Sequence, residues 1–223
     1  MASRERPRSR QVKEDRDSLV NLREVTSFEC FHEPLTAFID QGESVLVKSE
    51  HSKDALSLLK ILAGVIPPAT GVASVLGARC NSWEGRSVVS SFGGSLGPYL
   101  GATLLQNLLL SQGALGSERN RAFRAHEVIE EFGLEGLKET TLKELDKEEL
   151  SLANFACFSI QSARLSCMFD QIDLESIDNR SRIIECITNL RVQGRTFVWL
   201  TLPPFLSQVG SKELMLRPKL HKG

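Results

Sequence analysis

The chain has no glycine anywhere between Gly42 and Gly64, a stretch that reads as a buried strand, a polar link and a helix. Other absences bound the protein as a whole. No run approaches the roughly 18 apolar residues that a membrane span needs. The first residues have no apolar core, so no signal peptide is expected there. The five cysteines, Cys30, Cys80, Cys157, Cys167 and Cys186, include no CxxC pair. No cysteine–histidine cluster has zinc-ligand spacing, so reduced, mostly buried thiols in the cytosol are expected. Net charge is also missing: 27 Lys and Arg against 28 Asp and Glu leave −1. That balance gives no overall pull toward nucleic acid or an anionic membrane.

What is present suits a globular protein of 223 residues with 41% hydrophobic and 25% charged residues. Residues 1–17 are rich in Arg and Ser and have no apolar face, which predicts a disordered basic arm. The basic tail, 211–223, is expected to be loosely held. Between them, 18–210 reads as one domain.

Strands are predicted over Leu19–Phe28, Leu35–Ile39, Glu43–Lys48 and Val72–Leu76, with a helix from Asp54 to Leu62 that closes at Gly64. Trp83–Leu100 reads as loop, broken by Gly93-Gly94 and Gly97-Pro98. From Thr103 the pattern turns helical. Leu104, Leu105, Leu108 and Leu109 form one apolar stripe. Ala122, Ala125, Val128, Ile129 and Phe132 form another, stopped by Gly133. A third helix, Asp146–Ile160, has Asp146 as cap and Glu149 three residues on. Leu165–Phe169 and Thr196–Thr201 read as buried strands around a helix over Arg180–Gln193. Buried strands alternating with helices predict a parallel α/β sheet, and the all-helical block at about 102–162 predicts an inserted subdomain.

The order and spacing of these signals resemble the ATPase subunit of an ABC transporter, most closely the type that exports capsular polysaccharide, O-antigen or teichoic acid. The matching residues are Gly42-Glu43, Leu58-Leu59-Lys60-Ile61-Leu62-Ala63-Gly64, Pro67-Pro68-Ala69-Thr70-Gly71, Gly77, Phe92-Gly93-Gly94, Thr103, Gln106-Asn107, Glu130-Glu131-Phe132-Gly133-Leu134, Asp170 and Asp178. The resemblance runs from Leu19 to Pro204. It implies a P-loop NTPase-like parallel-sheet core, an antiparallel β region and a helical subdomain. It also implies ATP with Mg²⁺ as cofactor, a homo- or heterodimer, and a membrane subunit or active ATPase paralogue as partner. The expected location is cytoplasmic, peripheral at the inner face of the membrane.

The family's chemical motifs are eroded at each position. Counted back from Ala63-Gly64, the phosphate loop falls on Ser49 to Ser57. Its glycines become Ser49, Ser52 and Asp54, and its lysine becomes Ala55. Glycine lets the backbone N–H groups turn onto phosphate oxygens, and the lysine neutralises them. Glu50 and Asp54 bring charge of the wrong sign, and Lys53 is out of register. The Mg²⁺ position becomes Leu56, with Ser57 beside it. The glutamine of the family's next loop becomes Tyr99. The Ser-Ser-Gly signature becomes the charged run Asp146–Glu149. Asp170 matches the aspartate that holds Mg²⁺ through water. The catalytic glutamate after it becomes Gln171, which cannot act as a general base. The switch histidine becomes Leu202. Phe28 could stack on adenine, but reads first as a core aromatic, as does Phe31.

Each residue also has a plainer reading. Asp170 alone holds Mg²⁺ poorly and reads as a capping or solvated carboxylate. Lys53, His51 and His126 read as surface residues, and Glu144–Glu149 as a solvated helix start that suits the helix dipole. The resemblance and its losses imply a non-hydrolytic scaffold or regulator in an ABC-type polysaccharide exporter. The alternative is an active ATPase that works through an atypical loop containing Lys53.

Overall fold

The computed structural model describes residues 18–28, 33–93, 96–113, 117–169, 174–200 and 212–217. Two sheets and a layer of helices make up the fold. The first sheet is antiparallel, ordered β2-β1-β4-β5, from β1 (Val20–Thr26), β2 (Leu35–Ile39), β4 (Thr70–Val75) and β5 (Ala78–Arg79). The second is parallel, ordered β6-β7-β8-β3-β9, from β3 (Ser44–Ser49), β6 (Val89–Phe92), β7 (Leu165–Met168), β8 (Thr196–Trp199) and β9 (Lys212–Leu216).

Every residue of β7 and β8 is buried, as expected where a parallel sheet is covered on both faces. The period-2 alternation of strands divides their side chains between two cores. Val45, Val47, Leu165, Cys167, Val198 and Leu200 pack toward α1 (Ser52–Leu62) and the antiparallel sheet. Met168, Phe197 and Trp199 pack toward the helical side. That side is built from α3 (Leu104–Ser111), α4 (Glu118–Phe132), α5 (Lys147–Ser159) and α6 (Ile177–Val192), with α2 (Trp83–Ser87) lying apart. An aromatic chain joins it to the sheet: Phe132–Phe155, Phe155–Phe158 and Phe158–Phe197 centroids lie 5.9, 5.8 and 6.4 Å apart, and Phe197 stacks on Trp199 at 5.4 Å.

Local signals explain the helix ends. Val65 N–H bonds the Lys60 carbonyl and Gly64 N–H the Ile61 carbonyl, with Gly64 at φ +69°. This double bond with a left-handed glycine is the arrangement that closes α1. Thr103 with Gln106, and Asp146 with Glu149, form reciprocal capping boxes on α3 and α5.

Three expectations change. The stretch Trp83–Leu100 is not all loop: it contains α2 and β6, an edge strand of the parallel sheet. Its serines disguise it, since Ser90 is fully buried and hydrogen-bonded to Ser166 at 2.7 Å. The tail expected to be loose supplies β9, paired from Val45↔Lys212 to Ser49↔Leu216. Phe28 is not core: it is 77% exposed. Among the described residues no helix is long and apolar enough to cross a membrane.

Candidate functional site

In open parallel α/β sheets, ligands bind beyond the carboxyl ends of the strands. Here a cavity of about 530 Å³ lies there, lined among the described residues by Leu46, Val47, Lys48, Ser49, Ser52, Ala55, Phe169 and Leu200. The structure thus gathers Ser49, Ser52 and Ala55 around one space, at the ends of β3, β7 and β8. Lys48, Phe169 and Leu200 were not singled out in the sequence. Their only signal there is their position at strand ends.

The link from β3 to α1 is short: only Glu50 and His51 separate Ser49 from Ser52. The Ser49 hydroxyl donates to the His51 carbonyl (2.9 Å) and accepts from the His51 N–H (3.2 Å). That N–H is therefore committed inside the chain. His51 is the N-cap of α1 and supplies no side-chain cap. The negative charge that suits a helix N-terminus comes instead from Asp54, in the first turn and 3% exposed. Lys53 is exposed, Leu56 half-buried and Ser57 buried.

The donor set of the described residues does not fit MgATP. Ala55 has no amine for the phosphates and Leu56 no oxygen for the metal. Ser57 is 2% exposed, inside the α1 packing. Among the described residues no group of three His, Cys, Asp or Glu could hold a metal ion. Asp170, Gln171 and Leu202, together with Phe31, lie outside the described residues.

The remaining candidates sit elsewhere. Tyr99 is 70% exposed, in a turn clamped by buried Asn107. The Asn107 amide donates to the Tyr99 carbonyl (2.9 Å) and its oxygen accepts from the Tyr99 N–H (2.8 Å). Phe28, the residue the resemblance offers for adenine stacking, is exposed at the surface. His51 and His126 are exposed, as the plain reading has them.

The acidic run at the start of α5 is occupied by structure. Asp146 accepts from the Glu149 N–H (2.8 Å) and Glu149 from the Asp146 N–H (3.0 Å). Glu148 accepts from the Ser176 N–H (3.1 Å) and the Asn179 side-chain amide (2.8 Å), at the start of α6.

None of the described cysteines is a nucleophile. Cys80, Cys157, Cys167 and Cys186 are buried and free. Burial pushes the Cys80, Cys157 and Cys186 thiols up to about 12, and Cys167 higher still.

No protein-family model matches the sequence, and no curated protein matches it. Solved structures do match in shape. An ATP-binding subunit of an ABC transporter aligns with TM-score 0.77 and 18% identity over 91% of this chain and 87% of its own. A dimeric ATP-binding cassette in a post-hydrolysis state, bound to ADP and Pi, aligns with TM-score 0.77 and 18% identity over 90% and 95%. CbiO1 from Clostridium perfringens, part of the CbiONQ transporter complex, aligns with TM-score 0.69 and 12% identity over 91% and 86%. At these identities the likeness shows the fold, that of an ABC transporter nucleotide-binding domain.

Proposed function

We propose that this chain is a non-hydrolytic, nucleotide-binding-domain-like subunit of an ABC-type polysaccharide export system. It acts as a scaffold or regulator, in the cytoplasm or at the inner membrane face, paired with an active ATPase or a membrane subunit. The observation that carries the reading is the β3–α1 link: two residues long, closed on itself through Ser49, and lacking the lysine and glycines at Ala55, Ser49, Ser52 and Asp54.

Phosphoryl transfer is catalysed almost entirely by positioning and charge stabilisation around the phosphates. Loss of one preorganised donor commonly costs about 3 kcal/mol of transition-state stabilisation. Here several change together, and Asp146–Glu149 presents carboxylates where the resemblance calls for a phosphate-binding signature. The polysaccharide assignment rests on the resemblance in order and spacing of elements from Leu19 to Pro204. Pairing draws support from two structural neighbours, one dimeric and one part of a transporter complex.

The test is steady-state ATP turnover and MgATP calorimetry on the purified chain. Expected are background turnover and no micromolar binding. Turnover of one per second, or micromolar affinity, overturns the reading. If activity appears, Lys53→Ala decides whether the atypical loop carries it. Co-purification with polysaccharide-exporter membrane subunits checks the partner.

A further inference from the structure

At the opposite end of the parallel sheet, where β7 and β8 begin, a second cavity of about 310 Å³ is lined by Val88, Arg124, Ser162, Ala163, Arg164, Gln193 and Arg195. Three guanidinium groups reach it from three elements: Arg124 from α4, Arg164 from the residue before β7, Arg195 from the residue before β8. None of the three forms a salt bridge among the described residues.

Arg195 is 7% exposed. Its Nη1 donates to the Ser159 carbonyl at 3.0 Å and its Nη2 to the Gln161 carbonyl, so it closes the carboxyl end of α5. Those carbonyls satisfy donors and offer the partial negative charge of a helix end, but no full counter-charge. Burial above all pushes its pKa below the ordinary guanidinium value; Cys186 opposes this, and the nearby charge of Arg124 adds a smaller push downward. Glu131 is the acid that acts on Arg124, yet its carboxylate takes a hydrogen bond from the Cys186 thiol, and it does not line the cavity. Like charges facing one space, one of them desolvated, cost free energy that an anion recovers. Arginine forks match phosphate oxygens in pairs. Ser162 and Gln193 add neutral donors at the rim.

We propose that this cavity binds a phosphate dianion, free or as the monoester of a small metabolite, between Arg124, Arg164 and Arg195. It is a separate site from the one at the carboxyl ends of the strands.

The test uses the full chain at constant ionic strength, replacing sodium chloride with sodium phosphate and following Tm and ³¹P line width. Expected is a saturable rise in Tm. The Arg124→Gln/Arg164→Gln variant changes exposed side chains, so its Tm in chloride should equal or exceed the unaltered chain's. Its phosphate affinity should fall at least about tenfold, or about 1.4 kcal/mol. The source follows from a parallel titration with glycerol 3-phosphate: tighter binding than inorganic phosphate identifies a monoester, weaker binding the free anion. No saturable effect of either ligand, or an equal effect in the variant, overturns the proposal.

Discussion

Ser49 and His51 close on each other: the serine hydroxyl donates to the histidine carbonyl at 2.9 Å and accepts from its N–H at 3.2 Å. A phosphate-binding loop works by leaving its N–H groups free and convergent. Here one hydroxyl satisfies two backbone groups of the link, and Asp54 already sits in the first turn of α1.

Ser49→Ala should therefore lower stability by about 0.5–1 kcal/mol in urea unfolding, since the exposed His51 groups regain water. Calorimetry with MgATP should show no tighter binding, because Ala55 and the short link remain. Micromolar binding in this variant alone would mean that the serine, not the loop's residues and length, blocks nucleotide.

Asn107 is the residue that fixes the Tyr99 turn. Besides its two bonds to Tyr99, its amide donates to the Ala102 (3.3 Å) and Thr103 (3.0 Å) carbonyls, and it is 2% exposed. Asn107→Ala removes one acceptor and one shared donor from a buried network, which should cost about 2–3 kcal/mol. Asn107→Asp keeps the acceptor for the Tyr99 N–H but loses the donor. Denaturant curves for both variants check this; equal stability to the unaltered chain rules out the clamp.

The fold was legible where apolar patterning and caps agreed. The Val45-Leu46-Val47 run, the Gly64 stop and the Asp146 box each placed an element within a few residues of its observed bounds. It was hidden where a strand carries polar residues with partners only tertiary structure supplies. Ser90 needs Ser166, 76 residues on. The edge strand β9 buries only Leu216, and its charges find Glu43 and Lys48 across the sheet: Lys212–Glu43 at 3.3 Å, Lys48–Glu213 at 2.6 Å. Charged edge strands look like tails because charge protects them from further pairing. At the site, the sequence shows directly that no glycine stands from Ser49 to Ser57 and that position 55 is alanine. It could not reveal that Ser49 turns back on His51, because that depends on where the backbone goes after β3. Hydrophobicity alone assigns Phe28 to the core, yet its side chain is 77% exposed.

The buried thiols predict alkaline lability. Cys80, Cys157 and Cys186 are raised to about 12 in the folded chain, against about 8.5 in an unfolded one. Below pH 8.5 both states hold these protons and the thiols leave stability undiminished. From there toward pH 12 only the unfolded chain ionises, so stability falls by up to about 1.4 kcal/mol per pH unit for each thiol. Urea unfolding under reductant at pH 7.5 and 10 should show the loss, and Cys157→Ala should reduce its slope by one thiol's share. Peptide mapping after thiol labelling at pH 8 should find Cys80, Cys157, Cys167 and Cys186 unmodified until urea is added.

Leu76 carries avoidable strain. With Gly77 it forms the two-residue turn between Val75 and Ala78, at φ +50° and +78°. Both positions of such a turn need positive φ, which suits Asn-Gly far better than Leu-Gly. The side chain is 54% exposed, so little packing compensates. Leu76→Asn should stabilise by about 1 kcal/mol and raise Tm by about 2–4 °C. Leu76→Val should do the reverse. A neutral result for both would show that the turn relaxes without cost.

The acidic start of α5 offers the sharpest separation between a structural and a binding role. Glu148 holds the Ser176 N–H and the Asn179 amide, and Ser176 is the N-cap of α6. Its carboxylate therefore ties the beginnings of two helices together and faces the positive end of the second. Glu148→Gln keeps an acceptor but loses the charge, and should cost about 1 kcal/mol, a loss that shrinks in high salt. Glu148→Ala should cost about 2 kcal/mol, because the Ser176 and Asn179 donors lose their partner. If instead both variants match the unaltered chain in denaturant curves, the carboxylate is free surface charge, and a role in meeting a partner subunit becomes the better account of why acid stands there.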